Sequence, residues 1–211
     1  MVGADKIIIR NCKKWGERMA FSKGKRIEDE TSKRIVNLAV NIGCHEGVDA
    51  LTVTRLCREL NCDRRVIYNR FRDIDEINLV VAQRCNEEIL AKAKTVLTSQ
   101  ASFYENIIAL VQAMFTYIYE KNAYFQYYTI LYTVTDKGVK NEIIHYLTYL
   151  IEQGKTSGGV RAETDSSRVA QNIWILLTGI GSMLAANVNY KYQDGLGTLL
   201  YGVEALVSYI R

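Results

Sequence analysis

The sequence predicts an all-α protein, and two observations support this class. Proline is absent from all 211 residues, although average usage near 5 % would supply about ten. An interior proline costs a helix about 3 kcal/mol, so its absence is typical of a chain made almost wholly of helices. Apolar residues also recur at helical spacing along most of the sequence, and no stretch shows the alternation expected of a half-buried β-strand.

The chain begins with a basic segment. Residues 1–27 carry eight lysines and arginines against Asp5 and Glu17, a net charge of +6, with little periodic apolar pattern. Such an arm can follow the backbone of a nucleic acid or enter its minor groove. An extension with no role in binding explains the same composition equally well.

Three helices are expected after this arm. The first runs from about residue 28 to residue 45, because an apolar stripe repeats at helical spacing and Gly47 follows its end. Thr52 and Asp63 then stand at the N-cap positions of two short helices. Between them, Asn61 occupies a turn position that requires a left-handed backbone, which asparagine tolerates better than other non-glycine residues. This order predicts a helix-turn-helix.

The two short helices carry an excess of positive charge. Residues 52–72 hold six arginines against Glu59 and Asp63, a net charge of +4. A helix-turn-helix that faces arginines outward has the shape and charge of a DNA-recognition module, for which phosphate is the counter-charge. A run of charge can also be an ordinary solvated helix face, but the caps and the turn favour DNA recognition.

A longer helix is expected to begin at Asp73, where Glu76 stands three residues later in a capping-box pattern. It would connect the first 76 residues to the rest of the chain over residues 77–95. Charge changes at this boundary, because residues 1–95 carry a net +5 and residues 96–211 a net −1. Further helices are predicted at 102–120, 122–135, 137–154, 165–188 and 194–209.

Cysteine usage and apolar runs indicate a cytoplasmic protein. The five cysteines are an odd number without a Cys-x-x-Cys pair, which favours reduced thiols used as small core residues. The isoleucines at positions 7–9 form too short a run for a signal peptide. The uncharged stretch 169–190 contains four asparagine or glutamine residues, so its apolar part falls short of the roughly 18 to 20 residues that span a membrane.

Residues 28–76 resemble the signature of the tetracycline-repressor (TetR) family of transcriptional regulators. The matching positions are Gly47, Thr52, Tyr68, Phe71, and Asp75 with Glu76. The family turn usually has the sequence Ala-Gly-Val-Ser, whereas residues 60–63 of this chain are Leu-Asn-Cys-Asp. The resemblance implies an N-terminal helix-turn-helix DNA-binding domain followed by an α-helical ligand-binding and dimerisation domain, the latter over residues 96–211.

The resemblance also implies which side chains contact DNA. Three phosphate contacts are expected, from Thr52, Tyr68 and Arg70. Base edges in the major groove would be faced by Thr54, Arg64, Arg65, Val66 and Asn69. Arginine bound to guanine O6 and N7 is the commonest specific contact, which makes the two arginines the strongest candidates. Many family members have a lysine at position 74, where this chain has isoleucine, so Arg72 or the basic arm would replace that phosphate contact.

Tyrosine is concentrated in the C-terminal half, where the resemblance places an effector site. Thirteen of the fourteen tyrosines follow residue 100, and a tyrosine-lined cavity suits an aromatic or amphipathic small molecule. Aromatic residues at helical spacing are also common in plain cores. The candidate pocket residues are Phe115, Tyr119, Tyr127, Tyr128, His145 and Trp174.

The last two helices are predicted to form a dimer interface. They are apolar around most of their circumference and are interrupted by glycines that would let backbones approach closely. Two copies would then build a two-fold four-helix interface that places paired recognition helices on DNA half-sites. The residues assigned to this interface are Ile180, Leu184, Leu196, Leu199, Leu200 and Val203.

These patterns predict a TetR-like regulator that acts as a homodimer on double-stranded DNA. We expect a repressor that an unknown small-molecule effector releases from a palindromic operator. A helical protein–protein adaptor without specific DNA binding is the alternative. Two histidines, no metal-ligand spacing and no phosphate loop predict neither an enzyme nor a cofactor or metal site. The sequence leaves open the effector, the operator, the regulated genes and the choice between repression and activation.

Overall fold

A computed structural model describes residues 28–134, 141–186 and 190–210, and this part of the chain is all-α, as predicted. The basic arm predicted at residues 1–27 lies outside the described residues. Nine helices are described, with a short 3-10 turn at Val48–Ala50. They are α1 (Glu30–Glu46), α2 (Val53–Leu60), α3 (Arg64–Tyr68), α4 (Ile74–Lys94), α5 (Phe103–Glu120), α6 (Asn122–Val134), α7 (Glu142–Thr156), α8 (Ser166–Ala186) and α9 (Tyr192–Ile210).

Helix α1 begins at an N-cap that the sequence analysis did not identify. The Asp29 carboxylate accepts the backbone N–H of Ser32 at 2.8 Å, and the Ser32 hydroxyl oxygen accepts the N–H of Asp29. The two side chains therefore satisfy backbone donors reciprocally at the start of the helix. The helix ends at Gly47, whose φ of 88° favours glycine. Its predicted apolar stripe faces the core, with Ile35, Ala39 and Ile42 buried.

The turn between α2 and α3 has the predicted conformation. Thr52 caps α2 by accepting the N–H of Arg55 at 3.2 Å, and Asn61 is left-handed with a φ of 49°. The N–H of Cys62 donates to the Cys57 carbonyl and that of Asn61 to the Arg58 carbonyl, which together form a Schellman motif. Asp63 stands at the N-cap of α3 but makes no side-chain capping bond there. The helix-turn-helix is confirmed as a local structure.

Helix α4 links the helix-turn-helix to the rest of the molecule, as predicted. The Asp73 carboxylate accepts the N–H of Glu76 at 2.9 Å. The Glu76 carboxylate accepts the N–H of Arg72 at 2.6 Å, one residue earlier than in a standard capping box. The apolar face of α4 packs against α1 on one side and against α5 and α6 on the other. Its residues Ile77, Val81, Cys85 and Ile89 are fully buried.

Helices α5 to α9 form the C-terminal bundle. Most begin and end within a few residues of their predicted bounds, and α7 begins at Glu142 whereas residue 137 was predicted. Helix α8 is long and apolar enough to cross a membrane by length and composition alone. One face of it, including Ile173 and Leu177, is buried against the bundle, which agrees with the predicted buried helix.

The predicted dimer residues require a correction. Leu199 and Val203 are fully buried within the subunit, and Ile180 and Leu184 are nearly so. The reason is that α8 and α9 turn one apolar face inward against α5 and each other. Side chains on that face cannot offer surface to a second copy. Leu196 and Leu200 are half-buried and keep some exposed surface.

Candidate nucleic-acid interface and effector core

Helix α3 is held by its inward side and presents its outward side to solvent. Ile67 and Phe71 are buried beneath it, and Leu56 of α2 completes that core. The outward residues named from the sequence are exposed, with the exception of the half-buried Val66; they are Arg64, Arg65, Tyr68 and Asn69. A short helix anchored in this way keeps a defined orientation while its outer side chains remain available for binding.

Arg64 is oriented by the preceding helix. Its Nη2 donates to the Thr54 hydroxyl oxygen at 2.8 Å, and both side chains are exposed. The bond places two residues predicted to face bases side by side across the turn. Arg65 is also exposed, and its side chain has no hydrogen-bond or ion-pair partner among the described residues. Its guanidinium retains all its donors for a bound ligand.

Two of the six arginines do not face outward as predicted. Arg70 is only 16 % exposed, and its Nε donates to the Asp29 carboxylate at 2.9 Å while its Nη1 donates to the Val66 carbonyl at 3.0 Å. Arg55 is 24 % exposed and donates from Nη1 to Glu46 at 2.6 Å. Both guanidiniums therefore brace the helix-turn-helix against α1, and a phosphate contact by Arg70 would compete with Asp29.

Each ion pair lowers the pKa of its acidic partner. The hydrogen bond from Arg70, aided by the Ser32 N–H, holds the pKa of Asp29 well below its usual value. The hydrogen bond from Arg55 likewise lowers the pKa of Glu46. Neither pair was predicted from the sequence, because Arg70 meets Asp29 across 41 residues and Arg55 meets Glu46 across nine, so both contacts depend on how the helix-turn-helix packs against α1. Thr52 accepts a capping bond, so its hydroxyl proton is still available as a donor.

Four of the six predicted effector residues fall into two aromatic clusters, and Tyr127 and His145 lie outside them. Tyr128 and Trp174 lie in a buried aromatic cluster with Phe125, at ring-centroid distances of 5.8 Å to 6.3 Å. Phe115 and Tyr119 instead share Tyr192 as a neighbour, at 5.7 Å and 4.9 Å. Phe125 and Tyr192 were not singled out from the sequence, since the same periodicity fits any core aromatic.

The prediction that His145 lines the pocket requires a correction. It is exposed on α7 and does not project into the bundle. Tyr119 is also about half exposed, so it can contribute only at a rim. Tyr127 is buried, and its hydroxyl donates to the Asn78 side chain at 2.9 Å. Burial raises the pKa of Tyr127, which favours the protonated phenol that donates this bond.

A separate polar groove lies between α1 and α4. It has a volume of about 620 Å³, and its lining includes Asp29, Asn37, Gln83 and Arg84. The sequence analysis did not predict it, because the two helices that form it are about 40 residues apart along the chain. Its polar lining distinguishes it from the aromatic clusters.

Comparisons with known proteins show the fold. No protein-family model matches the sequence, and no curated protein is similar to it. Several solved structures are similar over most of their length. A candidate TetR-family transcriptional regulator from Syntrophomonas wolfei has a TM-score of 0.75 at 12 % identity, with 85 % of this chain and 95 % of that chain covered.

Two further structures agree with this result. The fatty acid degradation regulator FadR from Bacillus halodurans has a TM-score of 0.69 at 16 % identity, over 88 % of this chain and 99 % of that chain. A TetR-family regulator from Streptomyces coelicolor has a TM-score of 0.61 at 17 % identity, over 86 % and 96 %. The protein therefore has the all-α fold of TetR-family transcriptional regulators.

Proposed function

We propose that this protein is a TetR-like DNA-binding transcriptional regulator without catalytic activity or cofactor. The observation that carries the proposal is helix α3, which is seated by Ile67 and Phe71 and presents Arg64 and Arg65 to solvent. Arginine side chains on an anchored helix suit guanine recognition in the major groove, where each bidentate contact is worth about 1 to 3 kcal/mol of discrimination.

We assign the side chains around Arg64 and Arg65 either to base contacts or to phosphate contacts. Thr54, Val66 and Asn69 flank the two arginines and would face base edges. Thr52 and Tyr68 are exposed and would donate to phosphates. Arg70 would contact phosphate only by leaving Asp29, so we assign its main role to holding α1 and α3 together.

We propose a homodimer that forms through the outer faces of α8 and α9. On α8 the exposed side chains Ile175 and Met183 flank Gly179, and on α9 the 78 % exposed Tyr201 follows Gly197 by one turn. A methyl group added at either glycine would meet no atom within 4 Å. A second copy could therefore approach these helices closely, and two-fold symmetry would present two α3 helices to a palindromic operator.

The effector is proposed to be an aromatic or amphipathic small molecule that enters the C-terminal bundle. The buried aromatic residues support this class, because their rings offer apolar surface and few free polar groups. The similar protein from Bacillus halodurans is a fatty acid degradation regulator, which is compatible with an amphipathic ligand. Binding would favour a state with the wrong spacing between recognition helices, with a typical coupling of about 1 to 3 kcal/mol.

The proposal is tested by measuring the sequence preference of DNA binding in a mobility-shift assay. The assay uses a reducing buffer, as in the cytoplasm. Arg64→Ala and Arg65→Ala should each remove preference for the selected duplex while the helical circular-dichroism signal stays unchanged. Arg58→Ala is the matched control, because Arg58 is exposed on α2 and its loss should weaken all duplexes alike. Unchanged preference in both α3 variants would overturn the proposal.

The salt dependence of duplex binding distinguishes this proposal from the adaptor alternative. Wild-type affinity for duplex DNA should fall steeply as ionic strength rises, because each neutralised phosphate releases condensed counterions. A wild-type protein that binds no duplex even at low salt would favour a protein–protein adaptor.

A further inference from the structure

Four tyrosines of the C-terminal bundle bind the connecting helix α4 through their hydroxyl groups. Tyr127 donates to Asn78 at 2.9 Å and Tyr128 donates to Asn86 at 2.9 Å. Tyr124 donates to the Val81 carbonyl at 3.2 Å, and Tyr117 donates to the Glu88 carboxylate at 2.5 Å. The bundle is therefore fastened to α4 along three turns of that helix by partly or fully buried bonds.

Tyr127 also contacts the DNA-binding domain directly, through its ring. A methyl group added to Gly43 of α1 would lie 2.3 Å from Cε1 and Cζ of the Tyr127 ring. The three atoms nearest to that position all belong to this ring. The ring thus occupies the space that a larger residue at position 43 would need, and both residues are buried.

We infer that Tyr127 is a positioning residue that fixes the DNA-binding domain on the C-terminal bundle. Its ring seats α1 through Gly43, and its hydroxyl holds the first turns of α4 through Asn78. Both contacts are close-packed, so a small movement of α6 cannot be absorbed locally and must displace α1, α4 or both. This inference rests on the proposed function, because the seat matters for regulation only if the protein binds DNA.

A second chain of contacts reaches α1 at another turn. Glu88 accepts the Tyr117 hydroxyl and also the Arg84 Nε at 2.8 Å. The Nη1 of Arg84 in turn donates to the Asn37 side chain at 2.5 Å. Helix α1 is therefore held at two positions, Asn37 and Gly43, which are six residues apart. A single contact would let the DNA-binding domain rotate about it, and the second contact opposes that rotation.

The contact of the Tyr127 ring with Gly43, which we call the Tyr127 seat, lies next to the candidate effector core. Tyr128 follows Tyr127 on α6, and its ring belongs to the aromatic cluster with Phe125 and Trp174. A ligand that inserts among these rings must shift α6, and the same shift moves the Tyr127 ring against Gly43. This arrangement identifies a direct route from the effector core to α1, in addition to α4.

The inference is tested by a double-mutant cycle between positions 43 and 127 in the full-length protein. Gly43→Ala should lower the affinity for a duplex selected from a random pool by at least about fivefold. Tyr127→Leu removes the clashing ring, so adding Gly43→Ala to it should change the affinity less than twofold. Tyr124→Phe is the matched control, because it removes a comparable hydroxyl bond to α4, and Gly43→Ala should keep its full effect in that background.

Two readouts make the result decisive. The same cycle is measured by thermal unfolding, where positions 43 and 127 should again be non-additive. Tyr127→Phe guards against a failure of Tyr127→Leu to fold, because it retains the ring beside Gly43 and loses only the hydroxyl bond to Asn78. Gly43→Ala should therefore keep its full effect on affinity in the Tyr127→Phe background, while hydrogen exchange increases in the first turns of α4. Additive effects of Gly43→Ala and Tyr127→Leu, or loss of the Gly43→Ala effect in the Tyr127→Phe background, would overturn the inference. Non-additive unfolding in a protein that binds no duplex would instead refute the proposed function and leave the seat intact.

Discussion

The arginines of the helix-turn-helix differ in whether a carboxylate of α1 or of its N-cap lies within reach. Arg70 and Arg55 lie against Asp29 and Glu46, and both are largely covered. Within the described part of the chain the Arg65 side chain has no such partner, and the Arg64 side chain is bonded to the neutral Thr54 hydroxyl. Composition and spacing predict the net charge of this segment, but the packing of the helix-turn-helix against α1 decides which guanidiniums are covered and which remain exposed.

The Asp29–Arg70 pair leads to a prediction about stability. Asp29→Asn keeps a side-chain oxygen for the N-cap but removes the charge that binds Arg70, so the thermal midpoint at pH 7 should fall. The pKa of Asp29 is lowered in the folded protein. Its stabilisation is therefore present above the unfolded pKa of about 3.9 and is lost as the pH falls from there through the lower folded pKa.

The difference between wild type and Asp29→Asn should consequently shrink as thermal unfolding is repeated at pH values below about 4. Glu30→Gln is the control, because Glu30 pairs with Lys33 on an exposed surface, where an ion pair contributes little. A difference that is constant across this pH range would show that the carboxylate charge is not responsible.

At the scale of helices, the sequence predicts local features well. The left-handed Asn61, the Thr52 and Asp73 caps and the apolar face of α4 all depend on residues that are close in sequence. Contacts between helices are harder to predict. The Tyr127 ring against Gly43 and the Arg84 contact with Asn37 join distant residues whose neighbours alone give no signal.

Helices α8 and α9, where the sequence predicted a dimer interface, are a second example of contacts that are hard to predict. A helix that is apolar around most of its circumference indicates burial, but it does not indicate which face packs inside the subunit and which remains for a partner. Leu199 and Val203 lie on the inner face. Ile175 and Tyr201 remain exposed on the outer one, at 63 % and 78 %. The predicted helices are retained, and the proposed interface moves to the opposite side.

This revised face predicts where a charge should disrupt the dimer. Tyr201→Glu and Ile175→Glu should each convert dimers to monomers in sedimentation, because a carboxylate at a closely packed interface would lose its hydration. Both side chains are exposed in the subunit, so the fold should be preserved. Val96→Glu is the control, since Val96 is an exposed apolar residue outside these helices. Dimers that persist in both interface variants would place the interface elsewhere.

At the scale of the whole molecule, we propose that two contacts set the position of the DNA-recognition surface. The outer faces of α8 and α9 would fix one subunit against the other, and the Tyr127 seat would fix each DNA-binding domain on its bundle. The distance between the two α3 helices depends on both. A ligand in the aromatic core could change that distance without touching α3, because α6 carries Tyr127 and Tyr128 together.

The central claim is that Arg64 and Arg65 read base sequence from a two-fold dimer. Its most direct test is selection of bound duplexes from a random pool with the full-length protein. We predict enrichment of a palindrome whose half-site centres lie about one helical turn, or roughly 10 base pairs, apart, and loss of this enrichment in the Arg64→Ala/Arg65→Ala double variant. Recovery of no common sequence by the wild type, or of the same sequence by both proteins, would contradict the claim.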